Sequence, residues 1–153
     1  MTLADGYYQL EVSTPIENVW SIISDVDIWA PLVPGYMEHK LMSNRQYIWK
    51  LKGDIGILEK TISVKIDITE WRMPAKISFA ITGLNEKFTG NGYFKVKRVI
   101  GQKTQITGYL NISVKGMMRP LINPMLKSFI PKTIEKFLKK VTTKMREREV
   151  MFT

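Results

Sequence analysis

The sequence has no cysteine. Disulfides, thiolate metal sites and cysteine nucleophiles are therefore excluded, and a reducing compartment, the cytoplasm, is the expected setting. There is one histidine, His39. A single imidazole without thiolates makes a transition-metal site improbable. Long apolar runs are missing too. Nothing approaches the roughly eighteen uninterrupted apolar residues that a spanning helix needs. The opening "MTLADGYYQL" has no basic region followed by an apolar run, so no signal peptide is expected. No glycine-rich loop stands between a strand and a helix as phosphate binding requires; "GNG" and "GDIG" do not. No serine sits in an elbow motif. Acids are scarce in the later chain. Residues 1–56 carry seven acids and four bases, a balance of −3, whereas residues 57–153 carry seven acids and nineteen bases, a balance of +12. That asymmetry suits an anionic neighbour or, equally, a solvated lysine-rich surface.

What is present is globular. A chain of 153 residues with 44% hydrophobic and 24% charged residues reads as one domain, 1–153, able to bury a core without staples. Residues 6–13 alternate, with Tyr8, Leu10 and Val12 on one face, as in a half-buried strand. "STPIENVWSIISD" then begins a helix. Thr14 is placed to cap it, Pro15 to occupy its first position and Glu17 to complete a capping box. A second short helix over Asp25–Trp29 is expected to stop at Pro31 and the Pro34-Gly35 turn. Asp25 and Asp27 could work as an acid–base pair, but their position at a helix start favours capping.

From Tyr36 the period becomes two. Strands are predicted over 36–42, 46–53, 58–71, 76–83, 87–100 and 103–116, with a turn at Ser43-Asn44-Arg45. In 58–71, Leu58, Ile62, Val64, Ile66 and Ile68 share one face, and charged and polar residues the other, the pattern of an antiparallel sheet wet on one side. Gly90, Gly92 and Gly108 share a face with Phe88, Phe94, Val96, Ile106, Leu110 and Ile112, which predicts a strongly bent sheet. In the tail, Pro120, Pro124 and Pro131 are expected to break a first turn or two. From Pro131 a helix of about five turns should follow, with Ile134, Phe137, Leu138, Val141 and Met145 as its apolar stripe. The fold class predicted is α+β: a helix-grip fold. A curved antiparallel sheet of about seven strands wraps round a long C-terminal helix, with two short helices between strands 1 and 2.

The apolar, proline-stiffened "WAPLVPG" loop is unusual, since loops normally carry polar residues over the surface. It and "MMRPLINPML" are read as rims of a gap between helix and sheet, the loop as a lid or as a plug of the core. The candidate ligand-binding residues are Trp29, Leu32, Val33, Pro34 and Tyr36 from the loop, and Trp49, Phe79, Phe88, Phe94 and Leu110 from the sheet. Met118, Ile122, Met125, Leu126 and Phe129 come from the tail. No residue is assigned as catalytic or metal-binding. The inward polar candidates are His39, Tyr8, Lys60, Arg98 and Tyr36.

"STPIENVWSIISDVDIWAPLVPGY", "LKGDIGILEKTISVKIDITEWRMPAKISFAITG" and "KGMMRPLINPML" together resemble the carbon monoxide dehydrogenase G-subunit family of the START-like, polyketide-cyclase-like (SRPBCC) superfamily. The resemblance spans nearly the whole chain. It implies a helix-grip fold with a hydrophobic cavity and a non-catalytic role: binding a lipid- or quinone-like ligand. It also implies association with a molybdenum-containing dehydrogenase at the inner face of the membrane. The family's longer members carry a tethering extension, which is not seen before Thr153, so only weak contact with an anionic membrane surface is expected. Two other functions compete. One is a polyketide-cyclase-like enzyme. The other is a peripheral adaptor using Lys132, Lys136, Lys139, Lys140 and Lys144 on anionic membrane. No cofactor is expected. Nucleic acid is not an expected partner either, because the basic residues lack interleaved aromatics.

Overall fold

The computed structural model describes residues 4–55, 58–85, 87–115 and 119–152, with side chains for 5–52, 61–85, 87–115 and 127–148. The chain runs β1 (Ala4–Val12), α1 (Ile16–Ile23), α2 (Val26–Trp29), a 3-10 turn (Ala30–Leu32), β2 (Tyr36–Ser43), β3 (Gln46–Ile55), β4 (Leu58–Arg72), β5 (Lys76–Gly83), β6 (Phe88–Val99), β7 (Lys103–Val114) and α3 (Arg119–Phe152). The strands form one antiparallel sheet in the order β1-β7-β6-β5-β4-β3-β2. Hairpins link neighbours from β2 to β7. Helices α1 and α2 carry the chain from one sheet edge, β1, to the other, β2. The long helix α3 packs on β1 and β7. This is the helix-grip architecture that the alternating and helical periods predict.

Alternation governs burial. On β4, Val64, Ile66 and Ile68 are buried. A register shift between Ile68 and Glu70 bends the strand where it meets β5, as bulges do. The turns sit where expected: Arg45, Gly101 and Gln102 take positive φ. The Met73–Pro74 peptide bond is cis.

Three local expectations are corrected. First, Thr14 does not hold the cap position of α1. Pro15 itself holds the cap position of α1, which has no side-chain cap hydrogen bond. The carbonyl of Thr14 accepts from Thr104 Oγ1 at 2.6 Å, and Glu17 reaches across to Arg98. Second, α2 ends at Trp29 as expected, but Pro31 does not end the helical turn that follows. It lies inside the 3-10 turn that continues α2, because the first turn of a helix leaves its N–H groups unpaired anyway. Third, the tail is one helix of 34 residues that includes all three prolines. Pro120 is its second residue, where proline is tolerated. Pro131 is held by tertiary packing: a Cβ at Gly6 of β1 would meet Pro131 Cγ at 2.8 Å. Gly6 thus lets the helix approach the sheet closely. On α3, Ile130, Ile134, Phe137, Leu138, Val141 and Met145 are all buried, so packing on the sheet offsets the missing hydrogen bonds.

Candidate functional site

Helix α3 packs mainly on β1 and β7 and touches β3 more lightly, which leaves space between it and the middle of the sheet. The gap there is a cavity of about 220 Å³. Trp29, Val33 and Pro34 wall it from the loop, and Phe129, Thr133, Ile134 and Phe137 from α3. Alternate residues of β3 to β7 form its floor. An aromatic cluster organises the wall. The Trp29 ring lies 5.3 Å from Trp49, and it meets Phe94 and Phe137 edge-on at 5.2 and 5.9 Å. Phe94 stacks on Phe137 at 5.1 Å. Gly92 makes room for this cluster: a Cβ there would come within 2.8 Å of the Phe79 ring.

Nine of the fifteen candidate residues line the cavity: Trp29, Val33, Pro34, Trp49, Phe79, Phe88, Phe94, Leu110 and Phe129. Leu32 and Tyr36 are half-buried and pack against the core without lining it. Met118 lies outside the described residues. Ile122, Met125 and Leu126 lie on α3 with side chains outside the described set, as does the side chain of Lys60 on β4. Leu51, Ile62, Val64, Ile66, Ile81 and Ile112 also line the cavity. The signal for them was available, since they share the two-residue alternation of Trp49, Phe79 and Leu110. Ile134 and Phe137 were read as helix stripe alone.

The loop is both wall and plug. Ala30 is wholly buried in the core, while Val33 and Pro34 face the gap. Gly35 turns the chain into β2 at φ +84°, and a Cβ there would run into the carbonyl of Lys52. That carbonyl's residue returns the contact, its N–H donating to Gly35 O at 2.7 Å. Lys52 is the exposed member of the lining and marks, with Val33 and Pro34, the outer edge of the cavity. Lys52 and Thr133 are the aliphatic polar side chains among the described lining. Tyr109 also borders the cavity, but its ring stacks on Tyr93 at 5.2 Å, on the opposite face to Gly108 and Leu110.

The other inward candidates have other partners. Arg98 is exposed and pairs with Glu17. Glu17 is held below its ordinary value of 4.5 by its own backbone N–H and then by Arg98. Tyr8 is half-buried against the core. His39 joins two groups: its Nδ1 lies 2.6 Å from the Tyr36 hydroxyl and its Nε2 2.7 Å from Asp27 Oδ1. The Tyr36 ring in turn stands edge-on to Trp49 at 6.2 Å. Asp25 caps α2, as expected, by accepting from the Asp27 N–H at 3.0 Å. Burial, and then the Asp27 and Asp25 carboxylates, push the neighbouring Tyr47 phenol up. Among the described residues no group of three or more metal-ligating side chains comes together, and no helix is long and apolar enough to cross a membrane.

A family model matches residues 5–151, from β1 to near the end of α3. Solved structures share the whole architecture. A conserved protein of Geobacillus kaustophilus superposes with a TM-score of 0.81 at 20% identity, covering 94% of this chain and 95% of its own. The chain belongs to the family whose model it matches over residues 5–151, and it shares its fold with START and aromatase/cyclase structures. The Zhui aromatase/cyclase of Streptomyces sp. R1128 matches with a TM-score of 0.75 at 14% identity, covering 96% of each chain. A START superfamily protein of Mycobacterium smegmatis matches with a TM-score of 0.74 at 16% identity, covering 94% of this chain and 97% of its own. At these identities the likeness is one of fold. No curated protein matches the sequence. Structures similar to this chain thus include both an aromatase/cyclase and a START superfamily protein.

Proposed function

We propose that this chain binds and carries a hydrophobic, lipid- or quinone-like ligand without turning it over. The observation that carries this reading is the cavity itself: about 220 Å³, walled by aromatic and aliphatic side chains from the loop, the sheet and α3. Typical ligand sites are concave, largely apolar and roughly 300–1,000 Å³. The smaller volume suits a ring head group or part of a chain. General acid–base catalysis needs a titratable group within hydrogen-bond reach of the reacting atoms, and the described lining offers Lys52 at its edge and Tyr109, whose ring stacks on Tyr93. The resemblance to the carbon monoxide dehydrogenase G-subunit family supports a finer reading. The chain then serves in the cytoplasm as an accessory subunit of a molybdenum-containing dehydrogenase. Exposed Lys132, Lys136, Lys139 and Lys140 give it weak contact with anionic lipid at the inner membrane face.

Native mass spectrometry with lipid extraction, on gently purified protein, tests the reading. A co-purifying lipid or quinone that leaves on denaturation supports it. A clean protein mass, with no rise in melting temperature on adding quinones, removes it and favours the adaptor. A second reading, a polyketide-cyclase-like enzyme, draws on the Asp27–His39–Tyr36 chain beside Trp49. It requires turnover of a poly-β-keto thioester that Tyr36→Phe abolishes, whereas a carrier gives none.

A further inference from the structure

The open sheet has two edge strands, and they differ. Helix α3 packs against β1, whereas β2, beyond its partner β3, meets chiefly the short 3-10 turn that precedes it. The outer side of β2 thus faces no strand among the described residues, and an unpaired edge is a template for another strand. This edge is also apolar: Met37, Leu41 and Met42 are 52, 59 and 54% exposed. Apolar side chains scattered singly over a surface are ordinary, but these three stand within six residues of one strand. Pairing of β2 with β3 runs unbroken from Glu38 to Leu41, between two register shifts. The regular part of the edge is therefore short, and it contains His39.

We infer that β2 pairs with β2 of a second copy of this chain, antiparallel about a twofold axis at His39, joining two seven-stranded sheets into one. A twofold contact requires a self-complementary surface, and the sequence around His39 supplies one. Centred on His39, the pairing sets Glu38 of each copy opposite Lys40 of the other and brings Leu41 near Met37. Centred on Lys40 it would oppose two lysines, and centred on Glu38 two acids; like charges directly opposite are destabilising. A centre between residues would match side chains from opposite faces of the sheet. Glu38 already pairs with Lys50 of β3 at 3.2 Å, and Lys40 of the second copy flanks it on the other side. His39, on the axis, keeps its two nitrogens on Tyr36 and Asp27 of its own chain. Main-chain hydrogen bonds supply affinity in such strand addition and side chains supply register. The contact goes beyond the carrier reading and is independent of what the cavity holds.

So short an edge stands at the small end of specific interfaces, and a dissociation constant of about 10–100 µM is expected. Sedimentation velocity over a concentration series should show the unaltered protein passing from monomer to dimer. Lys40→Glu and Glu38→Lys each place like charges opposite one another twice per dimer, and each should weaken dimerisation about tenfold. Both positions are exposed, so the fold tolerates either change, which circular dichroism checks. Mixed together, the two variants should associate as tightly as the unaltered protein, because each then meets the opposite charge. The double variant carrying both substitutions should dimerise again for the same reason. An unaltered protein that stays monomeric overturns the inference. So do single variants that dimerise undiminished, or a mixture that fails to recover association. None of these outcomes bears on the carrier reading, which the lipid extraction tests separately.

Discussion

His39 Nε2 lies 2.7 Å from Asp27 Oδ1, tying the edge strand β2 to helix α2 across twelve residues of sequence. The histidine is mostly buried, its side chain 13% exposed, while that of Asp27 is 81% exposed. The two ends of the contact are therefore unequal. Removing the exposed acid leaves water to solvate the imidazole, and exposed ion pairs contribute about 0–1 kcal/mol. Removing the imidazole strands the Tyr36 hydroxyl as well. Urea unfolding should show His39→Ala costing about 1–2 kcal/mol and Asp27→Ala clearly less. Equal losses would mean that the contact with Tyr36 contributes nothing.

Leu32 and Val33 both pack against the core, but of the two Val33 alone also lines the cavity. Val33→Ser should weaken a lipophilic fluorescent probe about fivefold, in line with the ~1 kcal/mol or more that buried aliphatic surface is worth, with little change in melting temperature. Leu32→Ser should do the reverse. If both variants lost stability and neither lost probe affinity, the loop would be a plug of the core and no part of the cavity wall.

Leu138 and Phe88 make a second contrast. Leu138 is fully buried under the sheet, and truncation to alanine leaves a void, for which about 2–5 kcal/mol is expected. Phe88 is half-buried and already borders empty space. Phe88→Ala should cost less in thermal or urea unfolding than Leu138→Ala, yet reduce probe binding more. A larger stability loss at Phe88 would show that its ring supports the fold rather than the cavity.

Two carboxylates are held below the ordinary value in the folded chain. Glu17 is held below 4.5 by its own backbone N–H and by Arg98, and Glu70 by the Ser78 hydroxyl, then by Lys76 and Arg72. A carboxyl lowered in the folded state contributes stability that is present above its unfolded value and lost as pH falls through the folded one. Unfolding free energy should therefore decline as pH drops below about 4.5. Glu17→Gln with Glu70→Gln should flatten that decline. An unchanged slope in the double variant would assign the acid sensitivity to other groups.

Local periodicity was enough to place the elements. Period-two stretches located β2 to β7 to within a residue or two, because a half-buried strand must alternate and hairpin turns need residues such as Gly101 and Asn44. The stripe from Ile134 to Met145 located the helix that the sheet grips. Most of the apolar wall was legible for the same reason: facing inward is a local property of alternation. The remaining features depend on pairs far apart in the chain, so they emerge only when it folds. Pro131 stays inside a continuous helix because Gly6, 125 residues earlier, has no side chain to oppose it. Glu17 pairs with Arg98, 81 residues away. His39 becomes the link between Tyr36 and Asp27 only once β2 lies beside α2. Trp29 and Trp49 read as core or pocket in the sequence. That both rings border one cavity follows from the way the loop folds over β3, which no local period encodes.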